Sequence, residues 1–183
     1  MTGYDGASSY GFYEGPLRKL IHLYKYHGMD TLAAPLSDFL VAALPRSQRV
    51  DWIVPVPMHW WRKWTRGYNQ AELLARELSR RTGIPMVAAM RRGRGTPPQA
   101  GLSDKERRQN LRGAFTVTES PRNRHVLLID DVLTTGATAS ACGAALKEAG
   151  ASAVQVLTVA RVDRRISVPG LDRRAISTTA SGG

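Results

Sequence analysis

The sequence contains a single cysteine, Cys142. One cysteine excludes an internal disulfide bond and a zinc site built from cysteine ligands. Cys142 lies at an apolar position of a predicted helix, so we expect a small buried side chain there and not a nucleophile.

Long apolar runs are also lacking. A helix that spans a bilayer needs about 20 mainly apolar residues, and no stretch of this chain approaches that length. The first sixteen residues contain neither a basic segment nor an apolar one, so we expect no signal peptide. These features predict a cytoplasmic protein without a membrane partner.

Acidic residues are few: 15 Asp and Glu stand against 26 Lys and Arg, which gives a formal net charge of +11. With 43% hydrophobic and 22% charged residues in 183, the composition is typical of one globular domain and not of a disordered basic tail. Positive charge of this size indicates an anionic partner, either nucleic acid or a phosphorylated small molecule. Composition does not choose between them.

The hydrophobic pattern predicts an α/β domain with a mostly parallel sheet, because short apolar runs alternate with helical patterns of 10 to 15 residues. We expect an irregular lead-in at 1–15, the domain at 16–162, and a basic, flexible tail at 163–183. Helices are predicted over 16–28, 36–43, 69–83 and 139–150. Strands are predicted at 52–54, 86–90, 114–117, 126–129 and 154–159.

One segment, VLLIDDVLTTGAT at 126–138, places two adjacent carboxylates at the end of a predicted buried strand. Ligands of α/β sheets bind at the carboxyl ends of strands, and the start of the next helix offers N–H groups that suit a phosphate. Asp130 and Asp131 suit sugar hydroxyls or Mg²⁺, directly or through water. The following turn adds hydroxyl groups and a flexible backbone at Thr134, Thr135, Gly136 and Thr138. A sugar phosphate fits this segment.

An alternative is that a threonine only caps the helix and the two acids form a solvated turn. Two consecutive carboxylates after four buried apolar residues make this the less favoured interpretation. The sequence contains no G-x-x-x-x-G-K-[ST] loop and no G-x-G-x-x-G after a strand, so neither a P-loop nor a dinucleotide site is indicated.

The 126–138 segment resembles the phosphoribosyl-pyrophosphate (PRPP) signature of type I phosphoribosyltransferases: four apolar residues, two acids, a spacer, then [ST]-[ST]-G-x-[ST]. Other stretches resemble the ComF (competence protein F) family within that superfamily, and the resemblance runs from about Gly15 to Arg161. They are YHG at 26–28, VPVPMH at 54–59 with RGYNQA at 66–71, and Gln99 with RRQNLRGAF at 107–115. Many ComF relatives carry an N-terminal cysteine-rich zinc ribbon that this sequence lacks, so roles tied to that module are not carried over.

The resemblance implies a type I phosphoribosyltransferase-like domain that binds PRPP and Mg²⁺ and has a mobile hood loop at 91–112. It assigns the ribose hydroxyls and the metal, direct or bridged by water and PRPP, to Asp130 and Asp131. The 5′-phosphate site is Thr134, Thr135, Gly136, Ala137 and Thr138, and the pyrophosphate loop is Val56, Pro57, Met58 and His59. Arg107 and Arg108 join the two acids as expected catalytic residues, because guanidinium groups are permanently charged and bind phosphate bidentately.

The implied activity is Mg²⁺-dependent phosphoribosyl transfer to an acceptor that the sequence does not identify, with release of pyrophosphate. The alternative is a non-catalytic PRPP-binding accessory or sensor in DNA uptake and competence. Aromatic and cationic residues at 60–66, with Trp60, Trp61 and Trp64, could stack on single-stranded nucleic acid, although packing or a pocket wall is favoured. We expect weak nucleic-acid binding. The sequence leaves open whether the chain forms a homo-oligomer.

Overall fold

The computed structural model describes residues 2–26, 29–45, 49–58, 68–93 and 113–163. The α-helices in these ranges are α1 (Gly15–Tyr26), α2 (Ala33–Ala43), α3 (Gln70–Thr82) and α4 (Ala137–Glu148), and a 3₁₀ turn at Asp30–Leu32 precedes α2. The strands are β1 (Gly6–Phe12), β2 (Trp52–Pro55), β3 (Met90–Arg92), β4 (Phe115–Val117), β5 (His125–Leu133) and β6 (Ala153–Arg161). No helix within the described ranges has the length and apolar character needed to cross a membrane.

The main sheet has the strand order β1-β6-β5-β2, and each neighbouring pair is parallel. Trp52 of β2 pairs with Val126 of β5, so the carboxyl ends of these two strands lie at the same edge of the sheet. Met86 forms an isolated parallel bridge with Ile53, on the side of β2 that faces away from β5. The predicted α/β fold with a mostly parallel sheet is confirmed.

Both faces of β5 are covered, as its continuous apolar run predicts. Leu127 and Ile129 pack in one core cluster with residues of α1, α2 and α3. Val126 and Leu128 pack in a second cluster with residues of α4, β3 and β4. Because the strand is enclosed on both sides, the polar groups that follow its apolar run are held by a rigid support.

The prediction of an irregular lead-in at 1–15 is wrong for residues 6–12, which form β1 at the edge of the sheet beside β6. This strand has no apolar alternation, so the period-2 signal on which strand prediction depends is missing. Its position is stabilised by backbone pairing and by a side-chain hydrogen bond of 2.7 Å between Ser9 Oγ and Thr158 Oγ1.

The residues before β1 pack directly on α4. The Gly3 N–H donates to Ser140 Oγ at 2.9 Å. A Cβ atom built on Gly143 would lie 2.5 Å from the carbonyl oxygen of Gly3, which is too close for any side chain. Glycine at 143 therefore allows the N-terminal segment to lie against the helix that begins at the predicted phosphate turn.

The predicted strand at 86–90 lies later in the chain, at Met90–Arg92, and Arg91 and Arg92 belong to this strand and not to a loop. β3 pairs antiparallel with β4 in a separate two-stranded sheet. Burial of Met90 and Phe115 against the α4 side of the main sheet explains the shift. The remainder of the predicted hood, 94–112, lies outside the described residues.

Candidate functional site

An open cleft of ≈ 230 Å³ lies at the carboxyl ends of β2 and β5. Seven of the predicted site residues line it: Asp130, Asp131, Thr134, Thr138, Val56, Pro57 and Met58. Its remaining lining residues are Lys25, Tyr26, Asn69, Gln70, Ala71, Arg92 and Val132. The structure thus brings together the acidic pair, the hydroxyl-rich turn and the loop after β2, which lie far apart in the sequence.

The acidic pair lies within β5, because pairing with β6 continues as far as Leu133 and Arg161. Asp130 is opposite Thr158 in this register. The Asp131 N–H donates to Oδ1 of Asp130 at 2.9 Å, which fixes the Asp130 carboxylate against the backbone. Side chains alternate along a strand, so Asp130 and Asp131 leave β5 on opposite faces and line the cleft from two directions.

Asp131 is paired with Lys25, the penultimate residue of α1. The Lys25 Nζ atom lies 2.9 Å from Asp131 Oδ1, and the two side chains are 19% and 13% exposed. Burial opposes the charged form of the Lys25 amine, but the carboxylate of Asp131, aided by Asp130 and Tyr13, outweighs burial and raises the pKa of Lys25 above its ordinary value. The cleft therefore contains a cation next to its two carboxylates.

The turn between β5 and α4 leads into a helix start, whose first N–H groups have no intrahelical partners. Gly136 is the N-cap of α4 with φ 73°, a left-handed conformation that favours glycine. Thr135 Oγ1 accepts from the Ala137 N–H at 3.3 Å. Of the five predicted phosphate-site residues, Thr134 and Thr138 line the cleft, and Thr135, Gly136 and Ala137 do not.

The loop after β2 is anchored to both β5 and α3. The Val56 N–H donates to the carbonyl oxygen of Ile129 at 2.9 Å, and Asn69 Nδ2 donates to the carbonyl oxygen of Val56 at 3.2 Å. Asn69 also caps α3, as its Oδ1 accepts from the Ala71 N–H at 3.2 Å, which agrees with the predicted helix start. Pro57 and Met58 are therefore held beside the acidic pair.

Two tyrosines join α1 to α3 at the wall of the cleft. Tyr24 Oη donates to the carbonyl oxygen of Gln70 at 2.8 Å, and Tyr68 Oη donates to the carbonyl oxygen of Tyr24 at 2.6 Å. Burial raises the pKa of Tyr24, with the nearby Tyr68, Asp131 and Asp30 adding to the effect, so its hydroxyl stays a donor at neutral pH.

Sequence reasoning gave no site role to the cleft residues of α1 and of the start of α3, although Tyr26 and Gln70 lie in stretches that carry the family resemblance. A signal is present in both helices. Lys25 lies one turn after Ile21 at the edge of the apolar stripe of α1. Gln70 shares the buried face of α3 with Leu74 and Leu78, where a polar residue is unusual. This signal is not specific to the cleft, because Ser37 is likewise a polar residue on the buried face of α2 and does not line the cleft.

The remaining predicted residues either have a structural role or lie outside the described ranges. Cys142 is buried, and burial raises the pKa of its thiol, which confirms a packing role. Arg92 lines the cleft, and its guanidinium carbon lies 5.3 Å from the centroid of the Phe115 ring. The predicted site residues His59, Arg107 and Arg108 lie outside the described ranges. So do the three clustered tryptophans, Trp60, Trp61 and Trp64.

The donor set of the cleft fits Mg²⁺. Asp130 and Asp131 provide hard carboxylate oxygens, and of these Oδ1 of Asp131 is already paired with the ammonium group of Lys25. The described part of the chain has no cluster of three or more His, Cys, Asp or Glu that could hold a metal alone. Mg²⁺ typically binds through one or two carboxylates and takes its other oxygens from water and substrate phosphates, so two carboxylates suffice.

A family model described as a phosphoribosyl transferase domain matches residues 65–175 of the chain. The chain is 38% identical over 161 residues to competence protein F from Haemophilus influenzae, a match that covers 82% of this chain and 70% of the relative. It is 36% identical over 156 residues to the DNA utilization protein YhgH from Escherichia coli K12, covering 81% of this chain and 69% of the relative.

Among solved structures, the chain is similar to a glutamine PRPP amidotransferase from B. subtilis complexed with ADP and GMP, with a TM-score of 0.47 and 20% identity over 72% of this chain and 26% of that one. The expected resemblance is confirmed by the family model and by the curated relatives, which cover most of the chain. With these matches added to the acidic pair and hydroxyl turn of the cleft, the chain belongs to the phosphoribosyltransferase domain family, among the competence protein F relatives.

Proposed function

We propose that this chain binds PRPP in the cleft and transfers the phosphoribosyl group to an acceptor nucleophile in a Mg²⁺-dependent reaction. The observation that carries the proposal is the convergence of Asp130 and Asp131 with Thr134 and Thr138 on one cleft. Carboxylates suit sugar hydroxyls, and hydroxyl donors at a helix start suit a phosphate. A ligand that combines both groups matches this arrangement, and the family of the chain supports it.

Each wall of the cleft has a part in binding. Asp130 and Asp131 accept hydrogen bonds from the ribose hydroxyls. The turn at 134–138 binds the 5′-phosphate through hydroxyls and through the N–H groups that a helix start leaves without intrahelical partners. The loop at 56–58 borders the pyrophosphate, and Lys25 offsets part of the negative charge that the acids and the ligand bring together.

In the proposed reaction, the bond between the anomeric carbon and the pyrophosphate oxygen breaks while a bond from the acceptor to that carbon forms. The acceptor gives up its proton to solvent, and the electron pair of the broken bond leaves with pyrophosphate. The carboxylates of Asp130 and Asp131 stabilise the positive charge that develops on the sugar ring. Mg²⁺, when bound, supplies positive charge that neutralises the leaving pyrophosphate. Closure of the remaining part of the predicted hood, 94–112, with Arg107 and Arg108 on the pyrophosphate, stays a prediction.

The test is a calorimetric titration of PRPP with and without Mg²⁺ into the wild type and into Asp130→Asn with Asp131→Asn. We expect the double variant to lose most of its affinity, since hydrogen bonds to charged groups contribute about 1.5 to 3 kcal/mol each. Glu148→Gln, an exposed change at the far end of α4, is the matched control. Wild-type affinity in a folded double variant would refute the assignment of the site.

A non-catalytic role in DNA uptake is the second candidate, and the names of the relatives favour it. The similar proteins are called competence protein F and DNA utilization protein. A PRPP-binding accessory or sensor would need the same cleft but no acceptor. A pyrophosphate-release assay with a panel of nucleobases and amines separates the two: release with one acceptor supports transfer, and binding of PRPP without release for any acceptor supports the accessory role.

A further inference from the structure

Gln70, the first residue of α3, lines the cleft and is 1% exposed. Among the residues that the structure describes, none provides a hydrogen-bond partner for Nε2 or Oε1 of its side chain. A buried amide without partners lowers stability, because the bonds that it made with water are lost and not replaced. Such groups are rare in native proteins, and each calls for an explanation.

Loose placement does not explain the missing partners, because the backbone around Gln70 is firmly held. Its carbonyl oxygen accepts from Tyr24 Oη at 2.8 Å, and Asn69 caps the helix that it begins. Leu74 and Leu78 continue the same face of α3 and are fully buried. An apolar side chain at position 70 would extend the buried apolar face of α3 and stabilise the free protein. Packing alone therefore does not explain why a carboxamide is present.

We propose that the Gln70 carboxamide is a ligand-binding group that hydrogen-bonds the neighbouring hydroxyls of the sugar phosphate in the cleft. This inference rests on the proposed function. A carboxamide has donors on Nε2 and an acceptor on Oε1. Phosphate oxygens only accept and would leave Oε1 unpartnered. Of two adjacent hydroxyls, one can accept from Nε2 while the other donates its proton to Oε1, which leaves the proton of the first for the acidic pair. The ligand thereby supplies both missing partners.

Contact with the ligand requires a movement of the Gln70 side chain. Neither polar atom is open to solvent in the free protein, so the carboxamide must rotate towards the cleft about its side-chain bonds. After the rotation, the carboxamide has hydrogen-bond partners on the ligand that it lacks in the free protein. The free protein therefore bears the cost of the buried amide, and the complex does not.

Two variants, Gln70→Met and Gln70→Leu, remove both polar atoms and keep an apolar side chain of similar size. Ser37→Ala is the matched control, because Ser37 Oγ is also buried with no partner in the described part of the chain but does not line the cleft. Thermal unfolding is measured without ligand. Calorimetry is then run with three probes, each with Mg²⁺: PRPP, ribose 5-phosphate, and pyrophosphate.

We expect all three variants to raise the melting temperature by about 2 to 4 °C, because each removes a buried polar group that lacks a hydrogen-bond partner. The Gln70 variants should bind PRPP and ribose 5-phosphate about 10-fold more weakly. Their affinity for pyrophosphate, which has no hydroxyl pair on carbon, should equal that of the wild type. Ser37→Ala should bind every probe as the wild type does.

Different failures point to different errors. Unchanged affinity of both Gln70 variants for PRPP would overturn the role of Gln70 and leave the proposed function standing. An equal loss of affinity for pyrophosphate would overturn the assignment to hydroxyls. A lower melting temperature with unchanged affinity would show that the carboxamide is purely structural. A wild type that binds none of the three probes would overturn the proposed function and this inference with it.

Discussion

The ammonium group of Lys25 lies 2.9 Å from a carboxylate oxygen of Asp131, and this ion pair joins the last turn of α1 to β5 inside the cleft. Both side chains are mostly buried, so little water screens their attraction. Removal of one partner from an enclosed pair leaves the other charge uncompensated. Lys25 therefore controls how much negative charge the cleft presents to an anionic ligand.

Replacement of this lysine should weaken both the fold and the site. We expect Lys25→Met to lower the free energy of unfolding by about 1 to 3 kcal/mol, less than for a fully buried pair because some solvent reaches both groups. Affinity for PRPP should fall about 10-fold, because an uncompensated Asp131 repels the anion. Urea unfolding and calorimetry measure the two effects. Lys19→Met, an exposed change on the same helix, is the control.

The interpretation as an ion pair is checked by a double-mutant cycle. Lys25→Met combined with Asp131→Asn removes both charges, so it should recover most of the stability that Lys25→Met loses. If Lys25→Met alone is as stable as the wild type, the ion pair does not contribute to the fold.

Asp51 should make the stability of the protein depend on pH. Its Oδ2 accepts from the His125 N–H at 2.9 Å at the start of β5, and its Oδ1 accepts from Arg49 Nε at 2.8 Å. The hydrogen bond from the His125 backbone, with that from Arg49, holds the pKa of Asp51 below its ordinary value. As the pH falls, the unfolded chain takes up the proton first. The stabilisation is therefore complete at neutral pH and is lost as the pH falls through the lowered pKa.

Urea unfolding of the wild type and Asp51→Asn across a pH series measures this contribution. At pH 7 we expect the variant to be less stable by about 1 kcal/mol, the typical value of one hydrogen bond. The difference should shrink as the pH falls from about 5 through the ordinary Asp pKa of about 3.9 towards the lowered pKa of Asp51, because the unfolded chain is protonated first. A difference that stays constant over this range would mean that the ionised carboxylate is not what stabilises the start of β5.

Single-stranded DNA should bind weakly and with strong dependence on salt, because the net charge of +11 attracts any polyanion. Affinity should fall steeply between about 50 and 200 mM salt, as counterion release requires. Asp130→Asn should leave this binding intact, since carboxylates repel DNA phosphates. Fluorescence anisotropy with a labelled strand, with and without PRPP, measures it. Tight binding at physiological salt that is lost on replacement of Trp60, Trp61 and Trp64 would instead make nucleic acid the main partner.

The central part of the candidate site could be predicted from local patterns. The apolar run of β5, the acidic pair and the glycine before α4 are contiguous, and each residue type has a strong local preference: apolar side chains for an enclosed strand, glycine for the φ of 73° at Gly136. The cap of α3 at Asn69 followed from its spacing to Glu72 in the same way.

β1 could not be predicted, because an edge strand held by backbone pairing needs no apolar alternation. The strand at Met90–Arg92 lies later in the chain than predicted for a related reason. Its position is set by pairing with β4, which places Met90 in the second core cluster beside Phe115. Pairing between segments that are distant in the sequence leaves no local periodicity to detect.

By itself, the sequence determined the α/β class, the strand that carries the two acids and the phosphate-type turn, since each depends on neighbouring residues. Only the tertiary structure decided that Lys25 lies against Asp131 and that the Gln70 carboxamide lies at the same cleft with no hydrogen-bond partner within the described ranges. Their helices pack over one face of the sheet, and the hydrogen bond from Tyr24 to Gln70 locks the two helix ends together. The charge and hydrogen-bonding capacity of the cleft are therefore set by helix packing, which a one-dimensional pattern does not encode.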